Sequence, residues 1–253
     1  MSSINDFPDE IVLTIMEGMS LKDVLEMTMS CKRFYNLRKY ISKTSEEVVK
    51  VKSVDELFKM NNAMPSLNYG LYLTYTEVSD ISPLKDPLGL VNLKELSLDH
   101  TRISDVSSLS NLVYLTYLKL WGTHVSDVSH LSKLVKLEKL DLGSTNVSDV
   151  SPLSTLVNLE YLNLSYIQVS DISHLRNLEN LKVLNLWSTK VSDVSPLTDL
   201  VNLKELNLGW TNVTDISPLK DLKNLKELWV AYTKVSDLSP LNSLKKAGLE
   251  IIR

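Results

Sequence analysis

The sequence is poor in cysteine, glycine and long apolar runs, with one Cys and seven Gly in 253 residues. A single cysteine excludes an internal disulfide framework and fits a reducing compartment. No segment approaches the roughly 18 consecutive apolar residues of a membrane-spanning helix, and the first residues lack the basic start and apolar stretch of a secretory signal. We therefore expect a cytoplasmic or nuclear protein without a membrane partner.

The chain also lacks the features of a nucleic-acid-binding protein or an enzyme. Its formal net charge is -4, whereas nucleic-acid binding calls for a basic stripe. The histidines stand at positions 100, 124, 130 and 174, far along the chain from Cys31 and without acids or cysteines at a metal-ligand spacing. His100 and His124 are expected as contact residues on an exposed face, and His130 and His174 as surface residues. We expect no catalytic residue, no metal site and no cofactor.

The sequence does contain one unit that is repeated many times. An aspartate followed by Ile, Val or Leu recurs at positions 80, 105, 127, 149, 171, 193, 215 and 237, and after a first step of 25 residues every step is 22. A fixed period in the twenties is typical of a solenoid, because each unit can bury its apolar face only against its neighbours.

Each unit contains a leucine pair that predicts a short strand. Leu140 and Leu142 alternate at period 2 and point inward, and equivalent pairs recur at 96/98, 118/120, 162/164, 184/186, 206/208 and 228/230. Eight such strands from Leu73 to Val230 give a parallel sheet on the order of 34 Å long. Ser-Pro pairs such as Ser151-Pro152 predict an N-cap serine followed by a 3₁₀ turn, with each aspartate supporting the turn.

This pattern resembles the leucine-rich-repeat family, LxxLxLxxNxL, and within it the 22-residue internalin-like type. The resemblance covers roughly residues 67–244 and implies a curved α/β solenoid with a parallel concave sheet and short 3₁₀ or turn segments on the convex side. Threonine occupies the family's buried Asn position in every unit except at Ile167, where we expect a local distortion because isoleucine donates no hydrogen bond. The aspartate column favours a turn role over a calcium site, since its loops lack glycine and further oxygen ligands.

Both ends depart from the repeat and are expected to cap the core. Val49 and Val51 fall 22 residues before Leu71 and Leu73, which predicts a first irregular strand. Apolar residues at 249, 251 and 252 predict a last one. The capping units are assigned to residues 46–70 and 245–253.

The outward positions of the predicted strands are rich in aromatic residues. We expect Trp210 and Tyr232 to pack as a cross-strand pair, and Gly143 and Gly209 to leave hollows between ridges. Contiguous exposed aromatic surface marks interaction sites, so we expect a target protein or peptide to bind there; a small-molecule pocket is less favoured on an open arc. The predicted target-binding residues are Tyr72, Tyr75, Tyr117, Trp121, Tyr161, Tyr166, Trp187, Trp210, Trp229 and Tyr232.

The first 45 residues have a helical pattern instead. Phe7-Pro8 followed by Glu10 predicts a helix start, and Ser20 with Asp23 predicts a second one. The order Phe-Pro-x-Glu-Ile, Asp-Val-Leu and Cys-Lys-Arg-Phe resembles the F-box, a family that grips a SKP-type adaptor and through it a cullin–RING ubiquitin ligase. The resemblance implies adaptor contacts through Phe7, Pro8, Ile11, Ile15, Leu21, Val24, Leu25, Cys31 and Phe34.

Two domains are therefore predicted: an F-box-like helical domain over residues 1–45 and a solenoid over residues 46–253. An F-box followed by leucine-rich repeats resembles the substrate receptors of SCF ubiquitin ligases, in which other subunits carry out the catalysis. The alternative is a stand-alone binding scaffold or effector whose N-terminal helices only cap the solenoid.

Overall fold

A computed structural model describes residues 48–55, 57–58, 68–85, 90 and 92–253. The predicted helical domain, its boundary at residue 45 and all nine predicted adaptor-contacting residues lie outside the described residues.

The described chain forms one parallel sheet whose ten strands follow one another in sequence order, which confirms the predicted solenoid. Leucines of adjacent strands face each other, as Leu118 faces Leu140 and Leu140 faces Leu162. The strands are β1 (Val48–Val51), β2 (Asn68–Tyr72), β3 (Leu93–Ser97), β4 (Tyr117–Lys119), β5 (Lys139–Asp141), β6 (Tyr161–Asn163), β7 (Val183–Asn185), β8 (Glu205–Asn207), β9 (Glu227–Trp229) and β10 (Glu250–Ile252).

The core is a single apolar column running the length of the sheet, from Leu57 to Leu249. Both leucines of each inner strand are buried, as are the apolar residues that follow the repeated aspartates, such as Val150 and Ile172. Burying one leucine fully contributes roughly 1.5–3 kcal/mol, and no unit has another place to bury its leucines. Stacking of the units is therefore what stabilises each of them.

The convex side consists of 3₁₀ segments, and it corrects one prediction. In the segment at 151–155 the N-cap is Val150, without a side-chain cap, and Ser151 is the first helical residue. The capping group is the carboxylate of Asp149, whose Oδ1 accepts the Ser151 N–H at 2.8 Å. The segments are Ser82–Lys85, Ser107–Asn111, Ser129–Lys133, Ser151–Thr155, Ser173–Asn177, Ser195–Leu197, Ser217–Leu219 and Ser239–Leu241, the last continuing into helix α1, Asn242–Lys246.

The threonine column lies inside the turn that follows each strand. Seven threonine hydroxyls donate to the carbonyl three residues earlier at 2.6–2.8 Å, as Thr145 does to Leu142. The distortion expected at Ile167 is wrong. Ile167 is fully buried, and the preceding Tyr166 keeps the backbone hydrogen bond to the Trp187 carbonyl, at 2.8 Å. Isoleucine has the β-branched shape of threonine, so it fills the space and loses only the side-chain hydrogen bond.

Both predicted end strands are present, but the register of the first is two residues from the prediction. Val49 pairs with Tyr69 and Val51 with Leu71, because the fully buried Tyr69 takes an inward position of β2 before Leu71. At the other end, β10 pairs with β9 and places Ile251 beside Leu228.

Candidate binding face

The sheet arranges the ten predicted aromatic residues in columns across its outward face. Tyr117 and Tyr161 precede the first inward leucine, and Tyr72 and Trp229 lie between the two inward positions. Trp121 and Trp187 follow the second inward leucine of their units. The remaining four, Tyr75, Tyr166, Trp210 and Tyr232, belong to the next column, at the C-terminal edge of the strands.

This last column, which we call the αL column, has left-handed backbone in every repeat. Its φ angles lie between 53° and 66°, and its only glycine is Gly122. The conformation is held by backbone alone: from Tyr75 to Trp210 each N–H donates to a carbonyl of the next repeat at 2.8–2.9 Å. The column consists of Tyr75, His100, Gly122, Ser144, Tyr166, Ser188, Trp210 and Tyr232.

Four of these left-handed residues are large aromatics, which makes them exceptional. Positive φ favours Gly, Asn or Asp, whereas a bulky residue there is a true outlier. Burial does not compensate for this cost, because the exposed fractions are 77% for Tyr75, 53% for Tyr166, 54% for Trp210 and 73% for Tyr232. Strain that persists at exposed positions points to a role in function.

The rings of Trp121 and Trp187, in the column just before the αL column, lie over glycines of the following repeat. A Cβ built on Gly143 would lie 2.2 Å from the Trp121 ring, and one built on Gly209 would lie 2.5 Å from the Trp187 ring. In the αL column, a Cβ on Gly122 would come within 2.9 Å of the His100 ring. The expectation of hollows at Gly143 and Gly209 is therefore wrong: the space above these glycines is filled by a flat ring.

Several rings also contact one another. The Tyr75 and His100 rings are stacked with centroids 4.5 Å apart. Trp121 meets Tyr166 edge to face at 6.2 Å. Trp210 and Tyr232 form the expected cross-strand pair, at 4.5 Å and an angle of 33°. Such contacts contribute about 0.5–1.5 kcal/mol beyond burial, so the rings hold one another in place.

A polar column missed by the sequence analysis holds the backbone at the position that follows the second inward leucine. We call it the capping column: Asp141, Asn163, Asn185 and Asn207 each accept, through Oδ1, the backbone N–H two residues later at 3.0 Å. One of these amides belongs to Trp187. The available signal was the recurrence of Asp or Asn every 22 residues between the paired leucines.

The capping column has an exception that the neighbouring repeat compensates for. Lys119 stands where an acceptor is needed, and the amide of Trp121 donates instead to Oδ1 of Asp99 in the preceding repeat, at 3.0 Å. The Lys119 ammonium lies 4.0 Å from the same carboxylate. Burial nevertheless raises the pKa of Asp99, opposed by the Trp121 amide and Lys119. Burial likewise raises the pKa of Asp141, opposed by the Gly143 amide.

The first strands carry polar groups that are already engaged with each other. The Tyr72 hydroxyl donates to Glu95, and burial followed by this hydrogen bond raises the pKa of Tyr72. Burial also raises the pKa of Tyr161. Tyr72, Glu95 and Tyr117 line an open depression of about 310 Å³, too open to enclose a small molecule.

Within the described residues, no group of three or more His, Cys, Asp or Glu side chains is arranged to hold a metal ion. The exposed turn aspartates cap their own serines at 2.7–2.8 Å. None of the helices in the described part of the chain is long and apolar enough to span a membrane.

Comparisons with known proteins match both parts of the chain. The family model for leucine-rich repeats (2 copies) matches residues 91–133, 115–155, 135–177, 179–221 and 201–243, and the F-box domain model matches residues 4–37. No curated protein matches the chain.

Solved structures share the solenoid fold. An internalin from Listeria monocytogenes is 30% identical with a TM-score of 0.70, over 81% of this chain and 58% of that protein. Internalin C2 from the same species is 35% identical with a TM-score of 0.69, over 74% and 79%. A leucine-rich-repeat protein from Leptospira interrogans, 24% identical with a TM-score of 0.69 over 88% and 56%, shares the fold. The chain thus spans little more than half of two of these proteins.

The F-box and leucine-rich-repeat families generally consist of non-catalytic binding modules: F-boxes generally bind a SKP-type adaptor, and leucine-rich repeats bind target proteins. With repeat matches over most of its length and an F-box match ahead of them, the chain belongs to the leucine-rich-repeat family and is an F-box/leucine-rich-repeat protein.

Proposed function

We propose that this chain is the substrate-recognition subunit of an SCF-type cullin–RING ubiquitin ligase. The observation that carries the proposal is the F-box match at residues 4–37, directly ahead of a solenoid with strained, exposed aromatic side chains along one edge. The F-box binds the SKP-type adaptor, and the aromatic face binds the protein to be ubiquitinated. The complex acts in the cytoplasm or nucleus.

In this role the chain contributes proximity rather than chemistry. Holding a target beside the ligase turns a bimolecular encounter into an effectively unimolecular one, which requires two independent binding surfaces on one chain. The predicted adaptor residues fall between Phe7 and Phe34, within the F-box match. The aromatic residues from Tyr72 to Tyr232 supply the second surface.

The experiment is co-purification of the full chain with a eukaryotic SKP-type adaptor, for the parent sequence and point variants. Ile11→Asp and Leu25→Asp should each abolish adaptor binding, because a charge in a desolvated apolar contact is not compensated. Trp187→Ala combined with Trp210→Ala should keep the adaptor and lose ubiquitination targets captured from cells. Failure of the folded parent chain to bind the adaptor would overturn the proposal, and retention of targets by the double variant would overturn the face assignment.

The second candidate is a stand-alone binding scaffold whose N-terminal helices only cap the solenoid. It is favoured by the 30–35% identity of the chain to internalins. Under this candidate a well-folded chain ignores the adaptor, and Ile11→Asp lowers thermal stability by exposing the solenoid end rather than removing a partner. Measuring adaptor binding and thermal unfolding on the same variants separates the two functions.

A further inference from the structure

The aromatic residues of the first strands already have cations of this chain over their rings. The Lys50 ammonium lies 5.5 Å from the centroid of the Tyr72 ring, and that of Lys119 lies 5.6 Å from the centroid of Tyr117. Acids there are engaged too: Glu95 accepts the Tyr72 hydroxyl, and Asp99 lies beside Lys119. These cations and acids therefore already contact other groups of the same chain.

The last strands of the face also carry aromatic and acidic side chains, but they differ in having no cation over the rings. Trp187, Trp210, Trp229 and Tyr232 line β7 to β9 and the turns that follow. The described lysines that lie over aromatic rings are at positions 50, 94, 119 and 136, over tyrosines 72, 114 and 117. Within the described residues, then, no lysine or arginine covers the aromatic rings at this end.

Three glutamates at this end form no ion pair within the described residues. Glu205 and Glu227 face each other in register on β8 and β9, and Glu250 on β10 lies opposite Glu227, each at the strand spacing of about 4.8 Å. The ion pairs of the described residues are Arg102–Glu77, Lys119–Asp99 and Lys182–Glu160, so none of the three glutamates has one. Like charges directly opposite each other on a sheet are destabilising, and a bound cation would relieve that repulsion.

The glutamates and the rings form one continuous surface. Trp229 is the next outward residue after Glu227 on β9, about 7 Å further along the strand. Beyond it lies the Trp187 ring over Gly209, and at the strand edge the Trp210–Tyr232 pair. From Glu205 to Gly209 the chain runs four residues, through β8 and just beyond its end, which is about 13 Å of extended backbone.

We infer that this surface, built from Trp187, Trp210, Trp229 and Tyr232 with Glu205 and Glu227, binds an arginine-containing extended segment of the target protein. The inference rests on the proposed function for the statement that the ligand is a ligase target. The guanidinium pairs with the two carboxylates and stacks on Trp229, because a planar, weakly hydrated cation suits both contacts better than an ammonium does.

The same geometry specifies a second side chain in the ligand. In an extended segment, residues four apart lie on one face and about 13 Å apart. An arginine held at Glu205 and Glu227 therefore places the side chain four positions away over Trp187 and Trp210. An apolar or aromatic side chain at that position buries the exposed rings. The recognised pattern is an arginine and an apolar residue separated by three residues.

The test is selection of random 12-residue peptides displayed on phage against the full chain, with prior depletion on the Glu205→Gln/Glu227→Gln double variant. Recovered peptides should be enriched in arginine paired with an apolar residue four positions away. A recovered peptide, synthesised with blocked termini, should bind the double variant roughly tenfold more weakly by fluorescence anisotropy, and replacing its arginine with lysine should weaken binding less than replacing it with glutamine.

The matched control removes the same charge from the same repeats on the other side of the molecule. Asp199 and Asp221 are exposed and lie after the convex 3₁₀ segments, so Asp199→Asn/Asp221→Asn should leave the affinity unchanged. Gly209→Ala should weaken binding without removing any aromatic or charged group, because its Cβ displaces the Trp187 ring. Thermal unfolding confirms that each variant is folded.

Recovery of no peptide, or of peptides without a basic residue, overturns the inference, as does an affinity that survives the Glu→Gln changes. These outcomes are separable from failure of the proposed function. Adaptor binding with no selection for arginine leaves the ligase role standing and removes this site. Selection for arginine without adaptor binding keeps the site and makes the protein a stand-alone binder.

Discussion

Each repeat reverses direction twice, and the two turns are maintained in different ways. On the convex side the turn contains an aspartate in all eight units, and each described carboxylate caps a backbone amide of its own turn, as Asp149 caps Ser151. On the concave side the αL column has the same backbone in every unit, yet its residues range from Gly122 to Trp210. Uniform geometry therefore does not require a uniform side chain.

The difference follows from which atoms hold each turn. The convex amide has no backbone acceptor, so a side chain must supply one in every repeat. In the αL column the amide donates to the next repeat's carbonyl, for example from Ser188 to Gly209 at 2.8 Å, so the backbone of the turn does not depend on the side chain. Positions of the second kind are where a repeat protein can vary its surface while keeping its fold.

The capping column is an exception to this contrast, because its side chains lie on the concave side and still hold backbone amides. Changing one of them gives the largest expected effect on stability. Asp141 lies on the concave side but accepts the Gly143 amide at 3.0 Å. Asp141→Ala leaves that buried amide without an acceptor and should cost about 1–3 kcal/mol. Asp141→Asn keeps the acceptor, as Asn163 and Asn207 do, and should be neutral or stabilising at pH 7 in urea unfolding.

The pH dependence of this pair has a definite sign. Burial raises the folded-state pKa of Asp141 above its unfolded value, so the ionised carboxylate costs stability at neutral pH. That cost disappears as the pH falls through the raised pKa towards the unfolded value of about 3.9. Any advantage of Asp141→Asn should therefore shrink on acidification; an advantage that grows would contradict the assignment.

The convex turn should show an intermediate effect of opposite pH dependence. Asp149→Ala removes the cap of Ser151 and should lower Tm by about 2–4 °C at pH 7. The Ser151 amide holds the pKa of Asp149 below its usual range, so this stabilisation is present above the unfolded pKa and lost as the pH falls through the folded one. The Tm difference between parent and variant should vanish in strongly acidic buffer.

The smallest effect is expected in the αL column itself. Ser188 has φ of 56° and makes its inter-repeat hydrogen bond through the backbone. Ser188→Asn introduces a residue that adopts left-handed backbone more readily, so stability should change by less than about 0.5 kcal/mol and in the favourable direction. A loss of more than about 1 kcal/mol in chemical denaturation would show that this side chain does have a structural task.

The fold could be predicted from the sequence because it depends on a period. Paired leucines every 22 residues place the strands and the core, and Val150 or Leu153 fall inward for the same reason. Predictions were wrong where the local structure depends on a single hydrogen-bond donor or acceptor. The serine of Ser151-Pro152 predicts an N-cap, but the capping group is the Asp149 carboxylate, which accepts the Ser151 N–H. Ile167 lacks the hydroxyl donor of threonine, which predicts a distortion, but its β-branched side chain fills the same buried space.

The face could be predicted only as a set of outward aromatics. Their positions follow from strand alternation. The left-handed backbone of Tyr75 and Trp210 could not be predicted from the residue type, because large aromatic residues rarely adopt it. The support of Trp187 by Gly209 required knowing that the ring lies towards the next repeat. The predicted target-binding residues remain a prediction, as do the adaptor residues between Phe7 and Phe34.

The rings that lie over glycines have a consequence for how such a chain can change by recombination. His100, Trp121 and Trp187 each rest on a glycine 22 residues further on, at Gly122, Gly143 and Gly209. Loss or gain of one 22-residue unit by unequal crossover preserves the stacked core, since every unit offers the same leucines. It separates a ring from its glycine, however, when the crossover falls between them. The unit of inheritance for the surface is therefore two adjacent repeats, although the unit for the fold is one.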